Sequence, residues 1–239
     1  MPAVTRSRAA GPVPAPVAPP PPQPPPYTIQ ITNNGQRMIA TRLIACGSTI
    51  ITETPLLWTK SDLGTADEKD DDSFLKPKLW DKYLKLAPAD KSQYSGLHIN
   101  PEHENVARRA VKATFPSTLS RGQKETREKA LARFQTNCFK LRPTDKLNTN
   151  QYAVYKTISR VNHSCSPNAI HHVASGNRVM VLTAARNIQA TEEITISYEG
   201  QAPAPPERQK YLRHALKFDC ECDMCRNDFF AYLSIADDE

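Results

Sequence analysis

The densest chemistry in the sequence is Phe218-Asp219-Cys220-Glu221-Cys222-Asp223-Met224-Cys225, which sets three cysteines at C-x-C-x-x-C spacing. Thiolates this close can converge on one tetrahedral zinc ion with bonds of about 2.3 Å, and a structural zinc site takes four ligands. A residue distant in sequence must therefore supply the fourth, and Cys46, Cys138, Cys165 and the histidines are the candidates. The competing readings are a redox pair or inert buried thiols. A thioredoxin-like pair needs a strand before it and a helix opening at it in a βαβ context, and that pattern is missing here.

Two further stretches carry reactive side chains. Arg160-Val161-Asn162-His163-Ser164-Cys165-Ser166-Pro167-Asn168 is polar and turn-forming, placed after an apolar segment read as helical and before a strand. Taken alone it reads as a loop whose Asn and Ser side chains cap nearby backbone. His163 beside Cys165 suggests a Cys–His nucleophile, but neighbours in sequence seldom reach that geometry. Thr191-Glu192-Glu193-Ile194-Thr195-Ile196-Ser197-Tyr198 reads as a strand ending in tyrosine, and a solitary strand tyrosine is ordinarily a packing residue.

The elements that would position these residues can be traced along the chain. Tyr27 to Thr32, Met38 to Leu43 and Thr49 to Glu53 alternate or are β-branched and predict strands, parted by the turn signals Asn33-Asn34-Gly35 and Cys46-Gly47. The charge run Asp67 to Asp72 predicts a solvated loop. From Phe74 to Leu147 the spacing is helical, with Leu79, Trp80, Tyr83, Leu84 and Leu86 on one stripe and Ala130, Leu131, Phe134 and Cys138 on another. Strands follow at Asn177 to Thr183 and Glu193 to Tyr198. A helix then opens at Pro206 and carries Tyr211, Leu212, Ala215 and Leu216 on one face.

Composition bounds the reading. The chain has 239 residues, 39% hydrophobic, which is enough for one domain with a real core and a tail. The net charge of +6 arises from interspersed basic and acidic residues, so it implies no single-sign face and leaves nucleic-acid contact only weakly supported. Eleven of the 21 prolines lie in Met1 to Pro26, a segment unable to bury apolar area. It is expected to be a disordered spacer with partial polyproline-II character. No run approaches the roughly 20 apolar residues of a membrane span. Proline interrupts the N-terminal stretch from Pro12 onward, so no secretory apolar region forms and a reducing, intracellular setting is expected.

In their order and joint occurrence, the N-H-S-C-x-P-N element, the E-I-T-x-x-Y strand and the F-x-C-x-C-x-x-C tail resemble the SET domain family of protein-lysine methyltransferases. Asn34 to Arg42 is similar to the family's glycine-containing first cofactor loop, and Ala132 to Asn137 to a segment preceding the core motif in a fungal-type subgroup. The resemblance spans roughly Tyr27 to Arg226. It implies a mostly β, α+β fold of several small sheets with pseudoknot-like C-terminal threading. The SET domain would occupy 27–200, with a helical insertion at about 74–147, and a post-SET zinc-binding segment would occupy 201–239.

The resemblance also implies roles. Gly35, Arg37, Met38, Asn162, His163, Tyr198 and Phe218 would lie against S-adenosylmethionine, with Tyr198 the catalytic hydroxyl lining a lysine channel. Cys165 would join Cys220, Cys222 and Cys225 as the fourth ligand of Zn2+, while Cys46 and Cys138 have no family role and read as packing thiols. The expected partner is a lysine-bearing protein, histone or otherwise, met by a monomer in nucleus or cytoplasm with no membrane. The sequence departs from the family at Arg37, where a second glycine is usual, and at Ser197, where an Asp is usual. The alternative these departures favour is a catalytically inactive SET-like zinc-binding interaction module. A nucleic-acid finger is weaker, because no paired His or second Cys-x-x-Cys follows the cluster.

Overall fold

The computed structural model describes residues 23–33, 35–60, 76–115, 117–141, 151–174, 178–198 and 205–227. The expectations for residues 1–22 of the proline-rich tail and for the charge run at Asp67 to Asp72 lie outside the described residues.

The chain opens with an antiparallel hairpin of β1, Tyr27–Thr32, and β2, Gly35–Ala40, in register from Tyr27 opposite Ala40 to Thr32 opposite Gly35. Gly35 has φ 126°, a conformation that costs a side-chain-bearing residue dearly, so the Asn33-Asn34-Gly35 signal does end one strand and start the next. Strands β3, Thr49–Glu53, and β4, Leu57–Lys60, follow.

Four helices come next: α1 Lys76–Leu84, α2 Pro88–Ser95, α3 Pro101–Thr114 and α4 Arg121–Asn137. Their starts are written in the sequence. Proline stands in the first turn of α2 and α3, the Asn100 side chain accepts from the Glu102 amide, and Ser120 and Gln123 form a reciprocal capping box at α4. The buried Leu79, Tyr94, Val111, Leu131 and Phe134 tie the four helices together, and Leu57 and Val154 carry this core onto the β4 sheet. The Tyr94 hydroxyl, fully enclosed, donates to the Ala130 carbonyl at 2.6 Å.

The region read as helical through Leu147 is not helical throughout. Phe139–Leu141 forms a strand, β5, that pairs with β6, Gln151–Val154. The apolar segment ahead of Arg160, read as a helix, is β6 itself followed by a single 3-10 turn at Ile158–Arg160. Three of the four β6 residues are buried, and a short strand buried on both faces shows no alternation to distinguish it from a helix.

The remaining strands are β7 Asn162–His163, β8 Ala169–Val173, β9 Met180–Ala184 and β10 Thr195–Ile196, and α5 Pro205–Ala215 comes after them. They assemble into four small sheets, β1-β2, β3-β9-β8, β4-β6-β5 and β7-β10. The main core lies among the β-elements and fully buries Met38, Tyr155, Leu182, Ile188, Ile194 and Ile196. The β7–β10 pair is parallel, Asn162 opposite Thr195 and His163 opposite Ile196, and two strands intervene between its members. The chain then returns a second time to the same place, where Cys220 and Cys225 pack against Cys165. This double return gives the C-terminal segment its threaded course.

Candidate active site and metal centre

Glu53 begins the positioning of the site. Its carboxylate accepts the amides of Thr157 at 2.8 and 3.0 Å and of Ile158 at 2.9 Å, which caps the 3-10 turn and aims the chain into Val161 and β7. Burial raises the Glu53 pKa, and the same amide bonds oppose that rise. Asn168, 2% exposed, secures the far end of the turn. Its amide nitrogen donates to Glu192 at 3.0 Å and to the Glu193 carbonyl at 2.8 Å, and its oxygen accepts the Thr195 amide at 2.8 Å. One asparagine thus holds the 162–168 turn against the strand that ends in Tyr198. Sequence reasoning treated it only as part of a motif, because its partners lie more than twenty positions away.

The four cysteines meet. Ligand atoms of Cys165, Cys220, Cys222 and Cys225 all lie within 4.8 Å of one another, with Cys165 Sγ 3.8 Å from Cys220 Sγ and 3.4 Å from Cys225 Sγ. A tetrahedral zinc with bonds of about 2.3 Å needs sulfur–sulfur edges of about 3.8 Å, so the donor set fits that ion in number, chemistry and spacing. Burial pushes the Cys165 and Cys220 thiols up, Cys220 to about 11. Burial opposes ionisation of Cys222 as well, but backbone bonds from Cys225 and Cys165 hold it at about 6. Cys46 is exposed, its thiol directed at the Ala185 carbonyl, so it is no packing thiol; Cys138 caps α4. Neither belongs to the cluster.

Beside the sulfurs opens a groove of about 1170 Å³. His163, Tyr198 and Phe218 form an aromatic group in it, with ring centroids 5.3 Å apart for His163–Tyr198, 5.7 Å for His163–Phe218 and 6.1 Å for Tyr198–Phe218. The Tyr198 hydroxyl donates to the Val161 carbonyl at 2.8 Å, and its amide donates to His163 Nδ1 at 3.0 Å. The residue keeps 39% of its surface, yet the packing around the phenol is dense enough that burial, and then the charge of Glu193, raise its pKa. Tyr198 is therefore a protonated hydroxyl at neutral pH. His163 stays neutral for a similar reason, since burial and then the Arg208 cation lower its pKa to about 4.

The upper wall comes from β2 and the segment before β10. The Ile194 amide donates to the Met38 carbonyl, and Arg37 lies 3.8 Å from Glu193, its side chain half exposed in the groove. Asn162 donates to the Gln36 carbonyl at 3.0 Å and to Glu193 at 2.8 Å. Of the residues the resemblance singled out, the structure brings Arg37, Asn162, His163, Tyr198, Phe218, Cys220 and Cys222 to the groove. The Met38 side chain is in the core with no exposure, and Gly35 serves the hairpin turn. The opposite wall was not foreseen. It is made by the start of α3 and the end of α4, with Asn100, Gln135, Thr136 and Asn137 lining the groove and the Asn100 side chain donating to the Lys217 carbonyl at 3.0 Å.

The chain is similar in sequence to several known proteins. Histone-lysine N-methyltransferase set5 of Schizosaccharomyces pombe is 27% identical over 197 residues, 82% of this chain and 49% of that protein. Histone-lysine N-methyltransferase ASHR1 of Arabidopsis thaliana is 39% identical over 74 residues, 31% of this chain and 15% of that protein. The chain spans half or less of the length of these relatives. Among solved structures, a crystal structure of the SET domain of LSMT bound to lysine and AdoHcy superposes with TM-score 0.41 and 15% identity, over 81% of this chain and 52% of that one. The SET domain profile matches residues 35–199, well over half of the 239, and the chain belongs to the SET domain family.

Proposed function

We propose that the chain is a protein-lysine N-methyltransferase that uses S-adenosylmethionine and is closed by a structural zinc. The observation that carries this reading is the convergence of Tyr198, His163, Phe218 and two members of the four-thiol cluster, Cys220 and Cys222, on one groove. The names of its relatives, histone-lysine N-methyltransferases, support a histone or another lysine-bearing protein as substrate, met in nucleus or cytoplasm.

S-adenosylmethionine supplies an electrophilic methyl group. The groove offers it a fitting set of contacts: the Arg37 guanidinium for a carboxylate, Asn162 and His163 along the floor, and the Phe218 ring as a flat cover. The four thiols would hold Zn2+, which fastens the Phe218 segment to the Cys165 turn.

Methylation of an amine is an in-line displacement, and holding the reacting atoms in geometry supplies most of the acceleration. A free lysine with a pKa of about 10.4 is an ammonium at neutral pH, and an apolar site next to another cation lowers that value. The Tyr198 and Phe218 rings furnish the apolar walls. Tyr198, its hydroxyl already protonated and tethered to Val161, orients the amine through a hydrogen bond and has no need to act as a strong base.

The inactive-module alternative rests on Arg37 and Ser197, of which Arg37 bears on the cofactor loop. Arg37, however, sits within strand β2, and it is not among the residues with positive φ. The backbone at 37 therefore makes no demand that only glycine meets, and the arginine introduces no strain there. Titration of S-adenosylmethionine into the zinc-loaded protein by calorimetry tests the reading. Saturable heat at micromolar ligand is expected, and silence at millimolar ligand transfers the case to the inactive module.

A further inference from the structure

The zinc ligands and the catalytic tyrosine are joined by a side chain whose two ring nitrogens are both engaged. His163 Nδ1 accepts the Tyr198 amide proton at 3.0 Å. A neutral imidazole with an accepting Nδ1 carries its proton on Nε2. That nitrogen lies 3.2 Å from Cys165 Sγ, so it is the donor to the sulfur. On the other side of the cluster, the Arg208 side chain, 5% exposed, places Nη2 3.8 Å from Cys225 Sγ.

The chemistry of four thiolates explains why such neighbours are wanted. A divalent ion held by four sulfur anions carries a net charge of about −2, and enclosing uncompensated charge in a protein is costly. A cation and an N–H donor directed at two of the sulfurs spread that charge outward. Outer-shell donors also fix the orientation of the ligands they touch, and their removal typically weakens metal binding by about 10- to 100-fold.

We propose that His163 and Arg208 form the outer shell of the zinc centre, and that His163 is the positioning residue through which metal occupancy fixes the Tyr198 backbone. This rests on the methyltransferase reading only where turnover is concerned. With the metal in place, Cys165 holds the imidazole, and the imidazole holds the tyrosine amide. Without the metal, the sulfur is released to move, the ring loses its anchor, and Tyr198 loses the bond that sets its approach to the groove.

The full-length protein loaded with Co2+ in place of Zn2+ provides the test, using His163→Phe, which keeps a ring against Tyr198 and Phe218 but removes both nitrogens. His163→Gln, with one donor and one acceptor, is the conservative control. Metal affinity is read by chelator competition, the sulfur-to-cobalt charge-transfer band by absorption, and the Tyr198 amide by hydrogen exchange. His163→Phe is expected to lose about 10- to 100-fold in metal affinity, shift the band and speed Tyr198 exchange even with metal bound, with His163→Gln recovering part of each. Metal removal from the wild type is expected to speed the same amide, and kcat is expected to fall more than KM rises.

Affinity, band position and Tyr198 exchange all within twofold of wild type in His163→Phe would overturn the proposal. If that variant does not fold, His163→Gln and metal-stripped wild type carry the comparison, and Tyr198 exchange indifferent to metal removal overturns it equally. The metal and exchange readouts require no methyl transfer. Their success alongside absent turnover sinks the methyltransferase reading alone, and their failure alongside normal turnover sinks only the outer-shell assignment.

Discussion

In the proposed reaction Tyr198 would act through a single hydroxyl. Replacing it with Phe leaves ring packing and zinc ligands untouched, so turnover is expected to fall about 10- to 100-fold, roughly 1.4–2.7 kcal/mol of barrier, with zinc content and fold retained. Radiolabelled methyl transfer to a core-histone mixture, beside metal analysis, measures both. Asn168 has the opposite profile, structural where the role proposed for Tyr198 is chemical. Asn168→Ala strands the half-buried Thr195 amide and releases the Glu193 carbonyl, so a loss of about 1–3 kcal/mol is expected in denaturant unfolding. A loss under 0.5 kcal/mol would show that the turn holds without it. Only some of these residues were legible in the sequence. Three cysteines within six positions announce themselves because their geometry is local. Asn168, Glu193 and the groove-facing side chains of α4 are defined by contacts made after the chain has folded, and no spacing rule encodes them.

Among the elements, those with terminal signals were read best. The β1–β2 hairpin follows its Asn-Asn-Gly turn, and α4 follows its capping residues. Ser120→Ala removes one half of the reciprocal box and should lower thermal stability by about 1 kcal/mol without altering metal content, as calorimetric unfolding would register. The short strands were legible only in part. The strand expected at Glu193 to Tyr198 divides its pairing, with Glu193 in an isolated bridge to Ile39 and Thr195 and Ile196 paired to β7, and beyond them the backbone turns to offer the Tyr198 amide to His163. Within the supposed helical stretch, β5 has three residues, too few for any periodicity to declare itself. Their identity comes from the partner strand, a tertiary cause that overrides local preference.

At the scale of the whole molecule, the β-core and the helical core are each well filled, while the C-terminal segment relies on a small cluster of its own built from Leu212, Cys165, Cys220 and Cys225. This cluster of four buried side chains, with Leu216, Phe218 and Cys222 packed against it, buries little apolar area, and a metal held by its thiols would add to what fastens the segment. Cys220→Ser is accordingly expected to lose stoichiometric zinc and S-adenosylmethionine binding together while its far-ultraviolet dichroism stays close to wild type. Full zinc retention in that variant would separate the lid from the metal. The Asn100 bond to Lys217 gives the same segment a second anchorage on the helical wall, so the groove is bounded by both cores and by the tail.

The separation of 55 positions from Cys165 to Cys220 also has a meaning in time. At synthesis rates of about 5–20 residues per second, the first thiol emerges from the ribosome roughly 3–11 s before the earliest of its three companions. For that interval a nascent chain can form its β1–β2 hairpin, but it holds one member of the four-thiol cluster and lacks the C-terminal wall of the groove. The four-thiol cluster is complete only once Cys225 has been made, and a premature stop ahead of Cys220 leaves Cys165 without its three partners.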